Sequence, residues 1–320
     1  MRAEAAAAHN PQVLVPYRGP DPDPDCLDVF LYLRPESNGV QVESTILSVI
    51  QACGEYRSGI NLIYMANIPG DYIVRNRIVE RHYAMRLFFA VHGGGAFSAD
   101  MIRRFEAFYA VPFRQQTVMG AFEALHHFGW QPEDLFALWV EEKDVTRIAG
   151  QVVKRYQGLF IVNYDIPALL HKNNTNTDIA VMAFRTQVGY RHFFGLADQM
   201  RDALVERGLL RTGLPIARAV HFSRSPFEQL VDARDYLLRP DGTPAELEDS
   251  SFACFLLERG IPAAVIRGLI DHPICIFDFD ADLPVDQHLL ELCEGFTYND
   301  GYHILRRMRA QSLLPGHLLM

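Results

Sequence analysis

Between Asn163 and Asp178 the chain gathers two carboxylates, a lysine and several amides: Asn163, Asp165, Lys172, Asn173, Asn174 and Asp178 sit between two apolar stretches. If those stretches are neighbouring strands, Asp165 and Asp178 fall near the same strand ends, where paired carboxylates can hold Mg²⁺ and Lys172 can meet a phosphate. The same composition also suits a plain solvated loop, since Asn favours turns. A second set, Asn67, Asp71 and His92 with Glu36, Ser37 and Asn38, occupies polar loops that follow apolar runs. At the carboxyl ends of parallel strands such loops line a ligand crevice; otherwise they only cap helices and turns. The expected ligand-binding residues are therefore Asn163, Asp165, Lys172, Asn173, Asp178, Asn67, Asp71 and His92, with a small anionic ligand or a protein partner.

His92-Gly-Gly-Gly95 within Val91–Phe97 resembles the oxyanion-hole loop of lipase and esterase members of the α/β-hydrolase fold. That family also carries a G-x-S-x-G nucleophile elbow, which this sequence lacks. The glycines then serve either a close-packed turn or a cradle of backbone N–H groups for an anion. Neither a P-loop nor a G-x-G-x-x-G fingerprint occurs. His126-His127 comes without H-E-x-x-H and the cysteines form no C-x-x-C, so no metal ligand is assigned, and the motifs leave the cofactor unknown. Asp278, Asp280 and Asp282 alternate, which puts them on one face of an extended segment, as a solvated strand exit or a cation site. Ser225-Pro-Phe-Glu228 is a capping-box pattern with Pro at the first helical position, and Arg224 beside it adds charge to an anion-favouring helix start.

The elements that must position these groups read as repeated strand-loop-helix units. Asp28–Arg34, Ile60–Met65 and Met85–Val91 are apolar runs, each followed by a polar loop and an amphipathic stretch. Continuous apolar runs suit strands buried on both faces, so the spacing predicts an α/β fold whose N-terminal sheet is mostly parallel and covered by helices. Phe30, Leu31, Leu62, Ile63, Phe88 and Phe89 are expected in its core. Pro132 opens a helix, Asp144 heads another through Val152 and Val153, and Gly158–Asn163 and Ile179–Phe184 read as strands around a short helix. The expected organisation is a disordered or extended leader over residues 1–26, an α/β domain over 27–125 and a mixed α/β or α+β region over 126–320. The Pro/Asp stretch from Pro20 makes the leader look dispensable for folding.

A net charge of -9 and a pI near 5.7 disfavour a general nucleic-acid-binding surface. No apolar run is long enough to span a bilayer and no secretory signal is visible, so no membrane and a cytoplasmic location are expected. The five cysteines read as small core hydrophobes. No complete catalytic set can be assembled from spacing alone, which favours a non-catalytic ligand- or partner-binding or regulatory protein. The alternative is an enzyme acting on a phosphorylated small molecule, with or without Mg²⁺, through its strand-end polar loops.

Overall fold

The computed structural model describes residues 10–54, 59–279 and 283–311. Its strands are β1 (Gln12–Val15), β2 (Leu27–Leu33), β3 (Ile60–Ile68), β4 (Val118–Gly120), β5 (Val145–Ile148), β6 (Gln151–Tyr156), β7 (Leu159–Val162), β8 (Ile179–Thr186), β9 (Val220–Phe222), β10 (Ile274–Phe277), β11 (Val285–His288) and β12 (Met308–Gln311). The chain divides into two compact units, each assembled from separate stretches. Unit 1 takes the residues up to His82, Asn173–Ile266 and Cys293–His303; unit 2 takes Tyr83–Lys172, Arg267–Leu292 and the residues from Ile304 onward.

Unit 1 corrects the expected parallel sheet. Its strand order is β1-β3-β8-β2-β9, and every adjacent pair runs antiparallel. The apolar runs do mark strands with two covered faces, since every residue of β2 is buried. What covers the faces is helix on either side, which is compatible with either strand direction. On one face Phe30, Tyr32, Tyr64 and Val181 pack against Ala233 and Tyr236 of the helix Pro226–Tyr236. On the other, Phe184 meets Phe193 of the helix Tyr190–Glu206 at 5.9 Å. The helix Pro226–Tyr236 starts where the capping pattern places it, with the Ser225 hydroxyl accepting from the Glu228 N–H.

The third expected strand is a helix. Residues Ala84–His92 coil so that Met85 and Phe89, four apart, enter the core of unit 2 with Phe105, Val153 and Phe160. A short apolar run carries no periodicity that separates a buried strand from a buried helix. Of the expected parallel-sheet core, Phe30, Leu31, Ile63 and Phe89 are buried, while Leu62 and Phe88 are half-buried.

Unit 2 holds a four-stranded sheet, β4-β7-β6-β5, in which only β4 and β7 run parallel, and a three-stranded antiparallel sheet, β11-β10-β12. Where a helix through Val152 and Val153 is expected, β5, β6 and β7 form two hairpins instead. Their two-residue turns, Ala149-Gly150 and Gln157-Gly158, have positive φ at both positions, the conformation whose twist matches flanking strands. Gly93 also sits at positive φ, and a Cβ there would come within 2.5 Å of the Gly120 nitrogen. The His-Gly-Gly-Gly segment is thus a close-packed 3-10 turn leaving a helix.

Candidate functional site

The strand β9 at the edge of the unit 1 sheet carries His221, directly opposite Tyr32 of β2. The two rings stack with centroids 4.5 Å apart. The chain then turns through Ser223 into the helix Pro226–Tyr236, which presents Glu228, Asp232 and Asp235 at i, i+4 and i+7, a single helical face. Five titratable side chains meet there: His82, His221, Glu228, Asp232 and Asp235.

His221 Nε2 lies 3.6 Å from Asp232 Oδ2 and 3.7 Å from Glu228 Oε1. Asp232 is fully buried and held in place by Ser223, whose hydroxyl donates to Oδ2 at 2.7 Å and accepts from the Phe30 N–H at 3.0 Å. Glu228 is fixed from the other side, accepting from the Arg224 N–H at 2.8 Å. The His221 side chain is 14% exposed, yet its Nε2 is buried and has no hydrogen bond within reach. The exposure therefore belongs to the rest of the ring. Two carboxylates at Nε2 favour the tautomer that carries its proton there, which leaves the lone pair on Nδ1.

A second histidine repeats the arrangement one helical turn on. His82 Nδ1 lies 2.9 Å from Asp235 Oδ2, and its Nε2 is 3.8 Å from Asp232 Oδ1 and 3.5 Å from the Tyr32 hydroxyl. Asp235 also accepts from Arg81 Nε at 2.7 Å and from Arg234. Burial pushes the Asp235 carboxyl up, but the bonds from His82 and Arg234 outweigh it and hold the group down at about 2. Basic charge lies close by: the Arg34 guanidinium sits 5.8 Å from the Tyr32 ring centroid, and the Arg34 N–H donates to Ala219 just before β9.

The expected ligand residues fall into both units. In unit 1, Asn67 and Asp178 do meet, the amide donating to the carboxylate at 3.1 Å, while the Gly70 N–H donates to its other oxygen. Asp71 lies in the first turn of the helix Gly70–Arg75, and Asn173 is half-buried ahead of β8. In unit 2, Asp165 is bound through both oxygens by Arg86, at 2.7 and 2.9 Å. Asn163 is buried and spans the backbone of Arg86 and Val152 and the side chain of Gln151. Lys172 lies over the Phe136 ring and His92 against Phe88. β7 and β8 belong to different sheets, so the premise that set Asp165 beside Asp178 does not hold. Asp280 and Asp282 lie outside the described residues, and Asp278 pairs with Arg309. Among the described residues, no group of three or more His, Cys, Asp and Glu side chains is arranged to hold a metal ion.

No protein-family profile matches this chain, and no curated protein or solved structure does either. The function has to be read from the site itself.

The His221 cluster escaped the sequence reading although Arg224 and Ser225 beside it were singled out. Its signal was there: Glu228, Asp232 and Asp235 interrupt a helix whose other members, Phe227, Leu230 and Val231, are core residues. Carboxylates at core positions of a helix are rare unless partnered. Of their partners, His221 lies on the strand just ahead of the helix, whereas His82 is remote in sequence and meets them only through the fold.

Proposed function

We propose that unit 1 is an enzyme acting on a phosphorylated small molecule, with His221 as the reacting group. The observation that supports this is the carboxylate of Asp232, oriented by Ser223, behind Nε2 of a histidine whose side chain is partly exposed. A base or nucleophile backed by a third, orienting group is the general plan of activated side-chain catalysis. The separation of 3.6 Å is looser than a hydrogen bond, as expected before substrate tightens the pair.

In this reading Nδ1 attacks phosphorus, an N–P bond forms as the P–O bond to the leaving group breaks, and water or a substrate hydroxyl later takes the phosphoryl group. Asp232 and Glu228 stabilise the proton retained on Nε2, and so the cationic imidazole that phosphorylation of Nδ1 creates. Arg34 supplies positive charge for the phosphate oxygens.

The test is incubation with a set of phosphoryl donors, nucleoside triphosphates, acetyl phosphate and sugar phosphates, followed by analysis for acid-labile phosphohistidine. Wild type should label at His221, His221→Gln should not label, and Asp232→Asn should label roughly 100-fold more slowly or worse. Absence of label and of turnover with every donor would overturn the proposal and return the chain to the non-catalytic binding reading.

A further inference from the structure

At the opposite end of β2 from Tyr32, the unit 1 sheet carries a row of polar residues across three strands. Asp28 of β2 stands opposite Arg185 of β8, which stands opposite Asn61 of β3. Asp28 and Tyr32 are four residues apart on the same face, roughly 13 Å along the strand. The chain from Tyr17 to Cys26 passes over this row, and a cleft of about 380 Å³ opens between it and the strands, lined by Arg18, Asp21, Cys26, Asn61, Arg185 and Gln187 among others.

The chemistry of the lining is one-sided. Arg185 binds Asp28 through Nε at 2.8 Å and Nη2 at 3.1 Å, and Nη1 binds Asp21 at 3.1 Å. A guanidinium has five N–H groups, so Nη1 keeps one without an acceptor among the described residues. Both oxygens of Asp21 are engaged, one by Arg185 and the other by the Asp23 N–H at 3.0 Å. Arg18 is exposed and pairs with no carboxylate among the described residues, and the half-buried Asn61 amide has no hydrogen-bond partner among them. Gln187 spends one amide N–H on the Cys26 sulfur at 3.4 Å and retains the other. N–H donors thus converge from four side chains around a small space whose one lining carboxylate has both oxygens engaged. The volume lies at the lower end of the range for metabolite pockets.

We infer that this cleft binds the carboxylate or phosphate group of a small metabolite, held by Arg18, Arg185, Asn61 and Gln187. It does not rest on the His221 reading, and the two can fail separately.

The experiment is titration of the full chain with inorganic phosphate and, in parallel, with succinate, followed by thermal shift and calorimetry. A ligand that binds only the folded chain raises its melting temperature in a saturable way. At least one probe should do so in wild type and equally in His221→Ala. Arg18→Gln and Asn61→Leu should each weaken the apparent Kd about tenfold or more, the loss expected for a charge-assisted or buried hydrogen bond. Response to phosphate alone or to succinate alone identifies which oxyanion the cleft prefers, and either supports the site. No saturable shift with either probe, or a shift unchanged in both cleft variants, overturns it. So does a shift lost in His221→Ala and retained in Arg18→Gln, which would put the anion at the histidine.

Discussion

Asp235 is the residue whose environment makes the sharpest statement about pH. Its carboxyl is fully buried, faces His82, Arg81 and Arg234, and is held down at about 2. A carboxyl whose folded pKa lies below its unfolded value stabilises the fold above the unfolded pKa, and that stability is lost as pH falls through the folded one. The contribution is roughly 2 kcal/mol at neutral pH and disappears between about pH 4 and pH 2. Asp235→Asn should therefore be destabilised by at least that much at pH 7 in denaturant melts, with the gap from wild type closing as pH falls through that window. A constant gap from pH 7 to pH 2 would show that the ion pairs contribute nothing. At this scale the sequence reading named residue types well and placements poorly. Asn163 reads as a ligand group because of its polarity, but the structure spends that polarity on backbone groups of the chain itself. Only the fold can tell an amide that completes a hairpin from one that faces a ligand.

Among the elements, the N-terminal segment is the largest surprise. The Pro/Asp stretch reads as a dispensable leader, yet β1 pairs antiparallel with β3, and Tyr17, Gly19 and Asp21 all bond Arg185 or Asp28. Burial beside Asp28 pushes the Tyr17 phenol well above its ordinary value, so it stays a neutral donor to that carboxylate. Deleting residues 1–25 removes these partners from a buried carboxylate and leaves β3 as a bare edge. The truncated chain should lose roughly 2 kcal/mol or more in urea melts; an unchanged midpoint would show that the segment only rests on the sheet. The start of the helix Pro226–Tyr236 is legible because caps are local: Ser225 accepts from the N–H three residues on. Strand direction is not, because it depends on partners. β2 announces two covered faces through its apolar run Val29–Leu33, and nothing in that run says which way its neighbours point.

Over the whole molecule, β3 and β8 are adjacent in one sheet although all of Tyr83–Lys172 lies between them and belongs to the other unit. Sequence inspection follows neighbours along the chain, and so it read three consecutive strand-helix units where the fold interleaves two bodies. The strands and helices expected between Asp28 and Glu80 survive, and their topology does not. One feature of that topology reaches into the cell's handling of the nascent chain. Both partners of the fully buried strand β2 are made late: β2 ends at Leu33, β8 begins at Ile179, and β9 follows at Val220. At ordinary elongation rates that is roughly 7–30 s during which an apolar strand has left the ribosome with nothing to pair with. Until then its backbone groups and side chains are available to any other exposed strand, including the same segment of a neighbouring chain on a polysome. Chains released before Ile179 should accordingly aggregate or remain bound to a holding chaperone, whereas chains released after Tyr236 should bury β2; a monomeric, chaperone-free product that ends before Ile179 would show that β2 finds shelter without its native partners.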